Sequence, residues 1–157
     1  MGFLLGKTAI ITGGGRAVLA DGTCGSIGYG IATAYAKEGA NLVITGRNRK
    51  KLEDAKEELE RLYEVSVLPI VADVSAGSDN EFVVNEVVRQ TVETFGKIDV
   101  LINNAQASAS GVTLADHTTE QFDLAVYSGL YAAFYYMKAC YPHLAATRGT
   151  VINFASG

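Results

Sequence analysis

The chain has 157 residues, a net charge of −4 and an apolar fraction of 48%, enough for one domain with a real core and too few residues for two ordinary ones. That balance excludes a basic field for nucleic acid, and no apolar run approaches the roughly 20 residues of a membrane-spanning helix. Cys24 and Cys140 stand alone, with neither metal-ligand spacing nor a disulfide framework, so no metal is expected and the expected compartment is reducing cytoplasm.

The first predicted strand is the apolar run Thr8 to Thr12. Glycines follow at 13, 14 and 15, then a polar excursion over residues 16–25, then Gly25, Ser26, Ile27, Gly28 and Gly30. Ile31, Ala34 and Tyr35 recur at helical spacing as far as Lys37, and Gly39 stops the helix. Strand, glycine-rich turn and helix start, in that order, leave bare backbone N–H groups and a positive helix end where a pyrophosphate can sit. Asp21-Gly22 in the excursion reads as a surface turn.

Residues 41–45 (NLVIT) predict a second buried strand, ending in Gly46-Arg47-Asn48. Leu52, Ala55, Leu59 and Leu62 then share one face of a charged helix. A third strand over residues 65–72 carries Pro69, which suits an edge. Asp79 is a candidate N-cap for a helix with Val84, Val88, Thr91 and Phe95 on one face, stopped by Gly96. Residues 98–102 predict the fourth strand, followed by Asn103-Asn104-Ala105-Gln106 and a loop of small residues. Thr118 or Thr119 caps a long helix through Phe122, Val126, Leu130, Phe134 and Met137, ending near Tyr141-Pro142; residues 150–154 form the fifth strand. Strands apolar on both faces, alternating with helices, predict one α/β domain over residues 1–157. Its doubly wound parallel sheet has the strand order 3-2-1-4-5.

Thr12-Gly13…Gly28, Asp73-Val74, Asn103-Asn104-Ala105 and Ile152-Asn153-Phe154-Ala155-Ser156, in this order and spacing, resemble a short-chain dehydrogenase/reductase. The resemblance runs from Lys7 to the last residue. More narrowly, residues 103–111 (NNAQASASG) and 127–144 resemble bacterial NADP-dependent 12α-hydroxysteroid dehydrogenases that act on bile acids. The resemblance implies a Rossmann fold and hydride transfer between a nicotinamide and a secondary alcohol or ketone, here a hydroxysteroid, by a homo-oligomer when complete. It implies that Gly13, Gly15, Ser26, Ile27 and Gly28 face the nucleotide. Asp73 would contact adenine with Val74 against the ring, Asn103 and Ala105 would line the adenosine-ribose side, and Ser156 would hydrogen-bond the substrate oxygen in catalysis.

Arg47 decides the nucleotide in this reading. NAD-binding folds end the second strand in a carboxylate for the ribose hydroxyls; here Thr45-Gly46-Arg47 offers a guanidinium instead, which suits the 2′-phosphate of NADP. Arg16 is a second candidate contact. Ser26 stands where the family pattern has its middle glycine, as in the divergent enoyl reductases; it can donate to a phosphate or simply cap the helix. Gln106 replaces the glycine expected after Asn-Asn-Ala, and Gly129 falls where many members carry an asparagine that serves a proton relay. No tyrosine in the chain has a lysine four residues later, so the family's Tyr-x3-Lys acid/base pair is missing. The chain therefore reads as the N-terminal portion of an enzyme, truncated before the last strands and inactive alone. Two other readings stay open: a non-catalytic NADP-binding module, and an enzyme of the 3-oxoacyl- or enoyl-thioester reductase type.

Overall fold

The computed structural model describes residues 2–155. Its five strands are β1 (Thr8–Thr12), β2 (Asn41–Gly46), β3 (Val67–Val71), β4 (Val100–Asn103) and β5 (Thr150–Asn153), all parallel in the order β3-β2-β1-β4-β5. This is the expected doubly wound sheet. Because side chains alternate across a strand, each strand feeds two cores. Ala9, Ile11, Leu42 and Ile44 pack under α1 (Ile27–Lys37) and α2 (Arg49–Tyr63) with Tyr29, Ala32, Leu52 and Leu59. Ile10, Val43 and Leu101 face the other way, against Val84 and Val88 of α3 (Asn80–Phe95) and against Tyr136, Cys140 and Leu144. Pro69 lies in β3 at the sheet edge, where a missing N–H costs no ladder bond.

Two features depart from the sequence reading. Asp79 makes no side-chain cap bond; a 3-10 turn over Gly77–Asp79 leads into α3. The buried Asn80 takes the anchoring role, its Nδ2 donating to the Val74 carbonyl at 2.8 Å. The long helix is also not one α-helix. Thr118 does cap it, in a reciprocal capping box with Gln121. Then α4 (Thr119–Val126) passes through a π-turn at Tyr127–Tyr131 into α5 (Ala132–Thr147). The extra residue in the π-turn breaks the helical phase. Ser128, Ala132, Tyr136, Cys140 and Leu144 consequently face inward, while Phe122, Leu130 and Phe134 of the expected apolar stripe are exposed. The helix also runs on past Pro142, although an interior proline forfeits a helical hydrogen bond. Its last turn is held by the sheet instead: Leu144 is buried, and Thr147 Oγ1 donates to the Ile98 carbonyl at 2.7 Å.

Candidate functional site: a cleft and a cavity at the sheet switch point

The C-terminal ends of β1 and β4 are where the helices following them diverge to opposite faces, and an open α/β sheet gapes there. Thr12, at the end of β1, organises this point. Its Oγ1 accepts from the backbone N–H groups of Asn104 (3.0 Å) and Ala105 (2.9 Å), and the Asn104 Nδ2 donates to the Thr12 carbonyl at 3.0 Å. Asn104, which the sequence reading quoted but gave no role, thus closes the seam. Its neighbour Asn103 instead spans β4 and β5, donating to the Asn153 side chain at 2.8 Å.

On one side of the seam lies a cleft of about 270 Å³ lined by Gly13, Arg47, Asp73, Val74, Ala105 and Gln106, among others. Gly13 has φ +75°, a conformation that suits glycine. Arg47 is exposed at the mouth, and makes no ion pair among the described residues. Asp73 spends Oδ1 on its own turn, accepting from the Ser75 N–H at 2.9 Å and the Ser75 hydroxyl at 2.6 Å. Val74 is held by the bond from Asn80.

The N-terminus of α1 abuts this cleft through Gly28. A Cβ there would lie 2.0 Å from the Gly13 carbonyl oxygen and 2.7 Å from Asn104 Nδ2, so only glycine lets the helix meet the strand. Ser26 caps α1, its Oγ accepting from the Tyr29 N–H at 3.4 Å, which leaves the hydroxyl proton free to donate elsewhere. No acidic residue sits in the first turn of α1 to offset the positive helix end. Ile27 is exposed beside it.

Two of the expected residues point elsewhere. Gly15 lies against Lys51 at the start of α2, where a Cβ would come within 3.2 Å. Arg16 is turned away from the Arg47 cleft: its Nε donates to Glu58 of α2 at 2.7 Å, and the buried Tyr29 hydroxyl donates to the same carboxylate. Burial first, then the Glu58 charge, raise the Tyr29 pKa. The Tyr29 hydroxyl and the Arg16 guanidinium together hold Glu58 below the ordinary carboxylate range. This clasp fastens the lengthened loop to α2. The loop's tip is a hairpin with Gly22 at φ +83°, the surface turn expected at Asp21-Gly22.

On the other side of the seam a larger cavity of about 310 Å³ opens between β4, β5 and the π-turn, lined by Thr12, Asn103, Asn104, Gln106, Ser128, Gly129 and Ala155, among others. Ser128 was not singled out from sequence, where it looks like any small residue in an aromatic helix. Its buried hydroxyl accepts from the Ala107 N–H and donates to the Ala107 carbonyl, both at 2.9 Å, pinning the loop after β4. Ser156 lies outside the described residues, immediately beyond Ala155 on the rim. Among the described residues no cluster of three metal-ligating side chains occurs, and no helix is long and apolar enough to cross a membrane.

The family model for short chain dehydrogenases matches residues 7–157. The chain belongs to this family. It is 62% identical, over all 157 residues, to 12alpha-hydroxysteroid dehydrogenase from a Clostridium species, of which it covers 58%. Among solved structures, L-sorbose reductase from Gluconobacter frateurii, complexed with NADPH and L-sorbose, superposes with a TM-score of 0.82 at 30% identity; 98% of this chain and 53% of that one are covered. NAD+-bound xylitol dehydrogenase superposes with a TM-score of 0.84 at 28% identity, covering 98% of this chain and 54% of that one. The chain thus spans little more than half the length of these relatives. A doubly wound short-chain dehydrogenase frame, with a cleft and a cavity meeting at its switch point, is the result.

Proposed function

We propose that the cleft holds the adenosine half of a nicotinamide dinucleotide and the cavity its reactive half. The protein would be an NADP-dependent oxidoreductase passing hydride between the nicotinamide and a secondary alcohol or ketone. Arg47 carries the choice of NADP: it stands unpaired among the described residues at the mouth of a cleft where β2 supplies no carboxylate. The neighbours bound to NADPH and to NAD+ fit this part of the reading at the coarser level of a dinucleotide. In it Gly13 and Gly28 bring backbone against the pyrophosphate, Ser26 and Ile27 frame the α1 N-terminus, and Asp73 and Val74 bracket adenine. Asn103 and Ala105 line the ribose side, while Gly15 supports the loop rather than the ligand. When bound, the nicotinamide supplies the hydride; Ser156, one residue beyond the described cavity rim, would hydrogen-bond the substrate oxygen. The identity with a 12alpha-hydroxysteroid dehydrogenase favours a hydroxysteroid of the bile-acid type as substrate.

The test is a comparison of NADPH and NADH. A charged hydrogen bond to phosphate is worth about 1.5–3 kcal/mol, so NADPH should bind roughly 10- to 150-fold more tightly, and Arg47→Asp should remove or reverse that preference. Equal affinity for the two nucleotides in the unaltered chain would overturn the assignment.

A further inference from the structure

Two of the departures from the family pattern, Gln106 and Gly129, lie far apart in the chain, and the fold brings them together. The three atoms nearest to a Cβ built on Gly129 all belong to the Gln106 side chain: Nε2 at 3.6 Å, Cδ and Cγ at 3.7 Å. A methyl would just fit there; anything longer would need the space that the carboxamide occupies. The backbone on both sides of Gln106 is fixed, Ala105 by its bond to Thr12 and Ala107 by its two bonds to Ser128. The side chain is thereby launched from a rigid point toward the π-turn. No hydrogen bond engages the carboxamide among the described residues, and it borders both the cleft and the cavity.

We infer that Gln106 and Gly129 are a coupled pair: the loop supplies a carboxamide that, unlike those of Asn103, Asn104 and Asn153 in the same cavity, is not engaged by the described residues, and the glycine is the vacancy that admits it. Gln106 is then a polar group of the cavity wall with no partner among the described residues, placed to orient an oxygen of the ligand that reacts with the nucleotide. Its direction toward Gly129 assigns it to the substrate side rather than to the Arg47 side. This rests on the proposed function for the identity of the ligand, and not for the contact itself.

A double-mutant cycle tests it, on the protein in its natural full length with NADPH saturating and a bile-acid ketone varied. Gln106→Gly alone and Gly129→Asn alone should each lower kcat/KM by about tenfold or more, while the KM for NADPH moves less than about twofold. The two changes together return a carboxamide to the cavity from the opposite wall, and should recover activity to within about threefold of the original. Gln106→Gly with Gly129→Leu fills the same space without a hydrogen-bonding group and should recover none of it. Losses that simply multiply in the double variant, or equal recovery with leucine, would overturn the pairing or its polar role. If the unaltered protein binds no NADPH, the proposed function falls. The contact is still read in urea, where Gly129→Asn should lower the unfolding midpoint beside Gln106 and leave it unchanged beside Gln106→Gly; equal shifts in both backgrounds would overturn the contact.

Discussion

Gly28 and Gly30 show how much one residue's surroundings decide. Both lie early in α1, and both look like parts of the same glycine-rich signature. At Gly28 a methyl group would be driven into the Gly13 carbonyl at 2.0 Å and against Asn104 Nδ2 at 2.7 Å, a side chain that is itself held by the Thr12 carbonyl. At Gly30 the nearest atom to a Cβ is that of Cys24 at 3.8 Å, an ordinary contact. Gly28→Ala should therefore cost about 3 kcal/mol or more, by overpacking, and displace α1 from the Gly13 cleft. Gly30→Ala should stabilise by up to about 1 kcal/mol, because alanine restricts the unfolded chain and favours helix. Urea melts of the two variants check this pair; a Gly28→Ala protein as stable as the original would mean that the helix–strand approach is looser than described. The same distinction separates Thr12 and Asn104, which close the switch-point seam, from Gly15, which packs against Lys51.

Among the elements, α4, α5 and β5 decide how the chain behaves toward copies of itself. The π-turn rotates the outer stripe away from the core, and Phe122, Leu130, Tyr131, Phe134 and Tyr141 are exposed along α4 and α5 and the turn between them. Tyr127, Tyr131, Tyr135 and Phe134 make a run of tilted ring contacts, with centroids 5.2 to 6.0 Å apart, and Tyr135 also packs against the core. Beside them β5 ends the sheet with an unpaired edge and with Val151, Ile152 and Phe154 each more than a third exposed. Apolar helix surface next to an open strand edge is the combination that monomeric proteins avoid. The 157-residue chain should therefore self-associate, which sedimentation velocity across a concentration series would read as a rising mean coefficient. Leu130→Lys with Phe134→Glu should suppress the rise. A monodisperse monomer of the unaltered chain at every concentration would contradict the prediction.

For the whole molecule, the expected outcome is binding without turnover. On the proposed function the cleft would hold the adenosine half, whereas the 157 residues contain no tyrosine with a lysine four positions on, the pair to which the family resemblance assigns the acid/base work. General acid/base catalysis supplies roughly 10²–10⁴-fold. Purified, the chain should leave NADPH absorbance unchanged with a bile-acid ketone; activity that follows the protein peak and vanishes with Ser156→Ala would refute this. Much of the architecture was legible beforehand because it depends on local composition: doubly apolar strands demand cover on both faces, crossovers are right-handed, and glycines between a strand and a helix mark the close approach of the helix start to the strand end. The placement of Arg47, Asp73 and Val74 just past the ends of β2 and β3 was legible for the same reason. What the sequence could not decide is whatever depends on a neighbour distant in the chain. The π-turn changes which face of a helix is inside, yet it leaves no mark on apolar periodicity. Asp79 reads as the cap of α3 until Val74 comes within reach of Asn80, which anchors the helix start instead. Arg16 looks like a phosphate ligand until Glu58 claims it. Gln106 and Gly129, 23 positions apart in the chain, read as two unrelated exceptions, and only the packing of the loop on the helix makes them one site.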